Sequence, residues 1–150
     1  MTVSSNPARV GVLMAVHASA NPAHLDEAIL SILAQTHANV VIYLYCDGQL
    51  RPEHDEILAR CLPDEAGHIV VRGEINRGLP SALNELIDLA LQDPRVEFMA
   101  RMDADDVSIG DRFEQQVSYF REHPDVDVLG SWCIEFTDPG VPLFHKQLPS

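Results

Sequence analysis

Three carboxylates fall within four residues in Asp103-Ala104-Asp105-Asp106, directly after the run Val96 to Met102. Carboxylates that close repel one another unless a cation or hydrogen-bond donors compensate them. An oxygen-only cluster suits Mg²⁺ or Mn²⁺, ions that keep open positions for substrate phosphates. The plainer reading is an acidic turn in which Asp106 favours the start of the next helix. Two other acidic motifs compete for the same residues. A calcium loop wants Asp or Asn at position 107 and Gly at 108, where this chain has Val107 and Ser108. A haloacid-dehalogenase-type phosphatase also carries Asp-x-Asp-x-Val after a strand. Its later Ser/Thr, Lys and acidic motifs would have to follow Val107, where the one lysine of the chain, Lys146, lies near the end.

Other candidate groups are sparser. Tyr45-Cys46-Asp47-Gly48 ends an apolar run with a carboxylate that can accept a nucleobase N–H, though an Asp-Gly turn is common in itself. Asn76-Arg77-Gly78-Leu79 places an arginine and a glycine before a helix, suited to a phosphate or base neighbour or to a simple loop cap. No G-x-G-x-x-G or Walker sequence occurs, and the seven histidines lack H-E-x-x-H spacing, so dinucleotide, P-loop and zinc chemistry have no motif here.

These groups need a frame that brings them together. Val10 to Val16, Val40 to Cys46, His68 to Arg72 and Val96 to Met102 read as buried strands bounded by turn residues. Between the first two, Asn21 caps a helix with Pro22 at its first position and Leu25, Ile29, Ile32 and Leu33 on one face. Pro52 to Cys61 is a shorter helix with a weak stripe of Ile57, Leu58 and Cys61. A third runs from about Ser81 to Leu91, with Leu83, Leu86, Ile87, Ala90 and Leu91 inward. The fourth is expected from near Ser108, where Ser108 and Asp111 have capping-box spacing, to about His123, with Phe113, Val117 and Phe120 aligned. Strand and helix in alternation predict an α/β fold, a parallel sheet with helices on both faces. Ligands of such sheets sit outside the carboxyl ends of the strands, which is where the acidic turn, Asp47 and Arg77 fall. Val126 to Phe136 is a candidate fifth strand, and residues 1–8 and 138–150 read as irregular.

Composition narrows the partners. The 150 residues carry a formal charge of −13 and are 46% hydrophobic, which fits one domain of residues 1–150 with its own core. The acidic excess repels phosphate backbones and anionic lipid, so nucleic acid is not an expected partner, and no apolar run approaches the roughly 20 residues of a membrane span. Cys46, Cys61 and Cys133, an odd number without C-x-x-C pairing, read as reduced thiols of a cytoplasmic protein. Arg9, the run Val10 to Val16 and Ala18-Ser19-Ala20 imitate a secretion signal, but three β-branched valines favour a buried first strand.

Taken in order, several segments resemble the family 2 inverting glycosyltransferases of the Rossmann-like GT-A fold. They are Val12-Leu13-Met14-Ala15-Val16-His17, Ala28 to Thr36, Asn76-Arg77-Gly78-Leu79, Ala100 to Asp106, Asp111-Arg112-Phe113 and Gly130-Ser131-Trp132. The resemblance spans Val10 to about Phe136. It implies a nucleoside-diphosphate sugar donor, Mn²⁺ or Mg²⁺ as cofactor, a saccharide or lipid-linked acceptor, and a place in polysaccharide biosynthesis. By the same resemblance Asp47 meets the base, Asp103 the ribose or sugar side, and Asp105 the metal bridging the diphosphate. Arg77 and Asn76 lie near the base, and Ala15 and His17 line the donor site. Where the family usually has Asp-Asp-Gly-Ser this chain reads Cys46-Asp47-Gly48-Gln49, and its Pro-x-Tyr-Asn reads Ala15-Val16-His17-Ala18. The family's catalytic base lies downstream of the matched region, so it is expected beyond Ser150 and the chain is expected to be the donor half of a longer enzyme. The contrasting expectation is a non-catalytic module that binds a nucleotide sugar or a protein without doing chemistry.

Overall fold

The computed structural model describes residues 7–137 and 141–147. Two compact units divide the chain, Met1–Val117 and Ser118–Ser150. The first unit is built on β1 (Arg9–Val16), α1 (Pro22–Leu33), β2 (Val40–Cys46), α2 (Pro52–Cys61), β3 (Ile69–Arg72), α3 (Leu79–Leu91) and β4 (Val96–Arg101). The helix α4 (Arg112–Glu122) begins in it and continues into the second unit. All strands of the four-stranded sheet are parallel, in the order β3-β2-β1-β4. The chain therefore winds outward from β1 to β3 and then returns to the other side of β1. This reversal makes the gap between the carboxyl ends of β1 and β4 the topological switch point, where open parallel sheets take ligands.

Alternation along β1 and β2 explains why helices cover both faces. Val10, Val12, Met14 and Val16 with Ile42, Leu44 and Cys46 face α1, α2 and the first turns of α4, meeting Leu25, Ile29, Ile32, Leu58, Phe113 and Val117. Leu13, Val41, Tyr43 and Tyr45 face the other way, onto Ala82, Leu86 and Ala90 of α3. Strands enclosed on both sides show continuous apolar runs, as here. At the start of α1, Asn21 Oδ1 accepts the amide of Ala23 at 3.0 Å, the expected cap. Leu33 and Leu91, expected inward, are exposed; each is the last residue of its helix.

Other expectations need correction. The fourth helix starts at Arg112, not near Ser108. Ser108 is tied to α1 and the residues after it instead: its amide donates to Ser31 Oγ at 2.9 Å and its Oγ accepts from Gln35 Nε2 at 3.3 Å. Val126 to Phe136 does not add a fifth parallel strand to the sheet: β5 (Cys133–Thr137) pairs antiparallel with β6 (Val141–Lys146) in a separate two-stranded sheet. The tail expected to be irregular thus contains β6, whose Val141, Leu143 and Phe144 give it strand-forming residues; residues 138–140 and 148–150 lie outside the described residues. Among the described residues no helix is long and apolar enough to cross a membrane. Cys46, Cys61 and Cys133 are free thiols.

Candidate functional site

Backbone hydrogen bonds stagger the strand ends into a shelf. The amide of Asp47 donates to the Val16 carbonyl (2.8 Å), that of Gly73 to Cys46 (2.9 Å) and that of Met102 to Leu13 (3.1 Å). On this shelf stand two groups of expected site residues. Asp47, Asn76 and Arg77 come together on the β2 side, and Asp103, Asp105 and Asp106 share the turn after β4.

Asp47 is 5% exposed. Its Oδ1 accepts the amide of Arg77 at 2.7 Å and its Oδ2 the amide of Gly78 at 2.9 Å, which ties β2 to the loop leading into α3. Gly48 makes the close approach possible, because its φ is +88° and a Cβ there would stand 3.0 Å from the Asn76 nitrogen. Asn76 Oδ1 also accepts from Gly78, at 3.2 Å, so a second acceptor backs the first. The Arg77 guanidinium is held over the loop by the Tyr45 hydroxyl at 2.9 Å and Glu85 at 3.0 Å. Tyr45 in turn packs against Gly73, where a Cβ would lie 2.7 Å from its hydroxyl. Cys46, at a position where the resembled family carries Asp, is a neutral thiol: burial pushes it up to about 11.

The acidic turn is less uncompensated than its sequence suggests. Arg101 grips Asp103 through Nε and Nη2, with three contacts of 2.8 to 3.1 Å. Arg112 lies beneath, donating to the Arg101 carbonyl at 3.2 Å, to Met102 Sδ at 3.6 Å and to Gln116 at 3.2 Å. Burial lowers the Arg112 pKa, and the nearby Asp106 charge opposes that fall. Asp106 itself is raised, first by desolvation of its carboxyl and then by the charges of Asp103 and Asp105. Asp105 is exposed and has no hydrogen-bond or ion-pair partner among the described residues. No three His, Cys, Asp or Glu side chains converge on a cage among them. An all-oxygen donor set in which Asp105 and Asp106 are exposed, with no side-chain hydrogen bond or ion pair among the described residues, fits an ion that keeps most of its coordination for water and phosphate; it does not fit a closed structural site.

The loop that follows the turn is braced by α1. Gln35 Nε2 donates to the Ile109 carbonyl at 2.7 Å and to Ser108 at 3.3 Å, while its Oε1 accepts the Phe113 amide at 3.2 Å. Thr36 donates its amide to the Gly110 carbonyl at 2.7 Å and its hydroxyl to Glu114 Oε2 at 2.6 Å. Sequence reasoning saw Ala28 to Thr36 only as a shared segment; the polar residues at 31, 35 and 36, off the apolar stripe, were the signal that this helix end holds something.

Two expected residues stand apart from both groups. Ala15 packs with the cluster on the α3 face. His17 is exposed and its Nδ1 meets Ser19 Oγ at 2.7 Å. The loop between His17 and Asn21 is held instead by α2: the Ala20 carbonyl accepts from Arg51 at 2.7 Å and from His54 Nε2 at 3.0 Å. His54 is fully buried and donates from Nε2, with no partner at Nδ1, a structural role absent from the expected apolar stripe of α2.

Comparison with known proteins agrees with this frame. The sequence model described as Glycosyl transferase family 2 matches residues 12–147. An uncharacterized glycosyltransferase of Haemophilus influenzae is 33% identical over 128 residues, covering 85% of this chain and 46% of the relative. The amylovoran biosynthesis glycosyltransferase AmsE of Erwinia amylovora is 32% identical, covering 92% and 50%. A UDP-Gal:alpha-D-GlcNAc-diphosphoundecaprenol beta-1,3-galactosyltransferase of Escherichia coli is 28% identical, covering 99% and 52%. The chain thus spans about half the length of these curated relatives. Among solved structures, S. aureus TarS 1-349 superposes with a TM-score of 0.62 at 18% identity, covering 77% of this chain and 33% of that one. That likeness shows a shared GT-A fold.

Proposed function

The chain belongs to glycosyltransferase family 2, and from that membership we propose that it binds a nucleoside-diphosphate sugar at the β1/β4 switch point and serves transfer of the sugar, with inversion, to a saccharide or lipid-linked acceptor hydroxyl. The single observation that carries the reading is the pair of exposed carboxylates, Asp105 and Asp106, left without a side-chain hydrogen bond or ion pair among the described residues at the carboxyl end of β4, beside an Asp103 already gripped by Arg101.

In this reading Asp105 holds Mn²⁺ or Mg²⁺. When bound, the ion neutralises the diphosphate and improves it as a leaving group. Asp103 lies on the ribose or sugar side. On the other side of the shelf, Asp47 fixes the Asn76–Gly78 loop so that Arg77, Asn76 and the Asp47 carboxylate edge frame the base. Ala15 and His17 complete the wall at the end of β1. Inversion needs a base to take the acceptor proton as the hydroxyl attacks the anomeric carbon; no described residue is assigned to it. The relatives named above for amylovoran biosynthesis and for galactosyl transfer to GlcNAc-diphosphoundecaprenol support this acceptor class.

Calorimetry with uridine, guanosine and thymidine diphosphates, with and without Mn²⁺, tests the reading. Metal-dependent binding of one of them is expected. Asp105→Asn should remove most of it, because a neutral amide loses the charge that offsets the ion, and Asp106→Asn should remove much less. Binding to none of the three would refute the donor site. Retention in Asp105→Asn with loss in Asp106→Asn would refute the assignment within the turn.

A further inference from the structure

Arg101 is the last residue of β4, and all the hydrogen bonds of its side chain among the described residues go to Asp103. Nε and Nη2 donate to Oδ1 at 3.1 and 2.8 Å, and Nη2 also reaches Oδ2 at 2.9 Å. Both carboxylate oxygens are therefore engaged. A divalent ion approaching Asp103 in this arrangement would meet the guanidinium charge first. The pair is nonetheless not locked in place. The two side chains are 58% and 41% exposed, and among the described residues the Arg101 side chain has no second hydrogen-bond acceptor. What is fixed is the backbone below, where Arg112 holds the Arg101 carbonyl at 3.2 Å. A free side chain on a held backbone can exchange partners without disturbing the strand end. Exposed ion pairs are weak, whereas a planar guanidinium matches phosphate oxygens two at a time.

Resting on the donor-site reading above, we propose that Arg101 is an exchangeable counter-ion that closes Asp103 while the site is empty and moves onto the donor diphosphate when it arrives, freeing Asp103. Arg101 is then a ligand of the phosphates and a positioning residue for the acidic turn. It makes diphosphate and metal bind together: the metal alone finds Asp103 closed, and the arriving diphosphate draws the guanidinium away from it, adding that carboxylate to the open Asp105.

The test is calorimetry on the whole chain and on Arg101→Gln and Arg101→Lys, first with Mn²⁺ alone and then with the three nucleoside diphosphates, with and without Mn²⁺. Arg101→Gln should bind Mn²⁺ alone about 2- to 5-fold more tightly, the range an exposed ion pair commands. The same variant should lose about tenfold or more in nucleotide affinity, as expected for a lost charged hydrogen-bond pair. These changes run in opposite directions, which a merely structural residue would not produce. Arg101→Lys keeps the charge without the fork and should fall between. A urea midpoint equal to the parent's confirms that each variant is folded. If the parent binds metal and nucleotide but Arg101→Gln matches it in both affinities, or weakens both, the exchange is refuted and the donor site stands. If the parent binds none of the nucleotides, the donor site falls and this inference with it.

Discussion

Replacing Asp47 by Asn should destabilise the ligand-free protein, by an amount that follows from its two hydrogen bonds. The carboxylate accepts from the amides of Arg77 and Gly78 at 2.7 and 2.9 Å in a site that is 5% exposed. Bonds to a charged acceptor contribute about 1.5–3 kcal/mol each, and leaving a buried donor unmatched costs about as much. An Asn at 47 keeps one oxygen, best aimed at the shorter bond to Arg77, and turns its amide toward the Gly78 nitrogen. Gly78 then falls back on Asn76 Oδ1, already 3.2 Å away. The loss of charge on one bond and partial loss of the other add to about 2 kcal/mol, whereas Asp47→Ala, which removes both acceptors, should cost about 4 kcal/mol. Asn76→Ala alone should cost about 0.5 kcal/mol but about 1.5 kcal/mol in the Asp47→Asn background, a coupling of about 1 kcal/mol. Urea unfolding at constant m-value gives these numbers, and faster hydrogen exchange at the Arg77 and Gly78 amides locates them. Asp47→Asn and Asp47→Ala both within about 0.5 kcal/mol of the parent, or strict additivity with Asn76→Ala, would refute the clamp.

Three further outcomes follow from the same geometry. Gln35→Leu should cost about 2–3 kcal/mol, since it strips the Ile109 and Ser108 contacts and leaves the Phe113 amide without its acceptor; thermal melts and exchange at Phe113 would show it. Gly73→Ala should cost about 1–3 kcal/mol, because its Cβ would stand 2.7 Å from a buried Tyr45 hydroxyl already bonded to Arg77; Gly73→Ala as stable as the parent would show that the loop yields. Asp106 is held above the usual carboxylate range, so in the folded state its ionised form is disfavoured, and its penalty applies above the folded pKa and fades as pH falls through it. Asp106→Asn should therefore be more stable than the parent at neutral pH, with the difference closing in acid; a difference independent of pH from neutral to pH 3 would count against that cause.

The elements were legible in the sequence because their signals are local. Val40–Cys46 and Pro52–Cys61 lie where the apolar run and the proline-led amphipathic stretch put them. The order of strands and helices was enough to expect a parallel sheet and to direct attention to the strand ends. The acidic turn was legible as chemistry, but its charge balance was not. A divalent ion is the economical relief for three carboxylates read in sequence, and the fold supplies part of that relief itself: Arg101 pairs with Asp103, and the charges of Arg101 and Arg112 offset only part of the rise at Asp106. Arg101 is two residues from its partner, yet only the path of the chain after β4 turns the guanidinium back onto Asp103. The grip of Asp47 on residues 77 and 78, and of Gln35 on residues 108–113, joins positions far apart in the chain. β5 carried a strand signal, but a strand signal names no partner, and it is paired with β6 outside the parallel sheet. Periodicity reports which face of an element is buried and is written into neighbouring residues. A hydrogen bond or ion pair between two loops exists only once parallel strands have set their carboxyl ends side by side, and that alignment belongs to the tertiary structure alone.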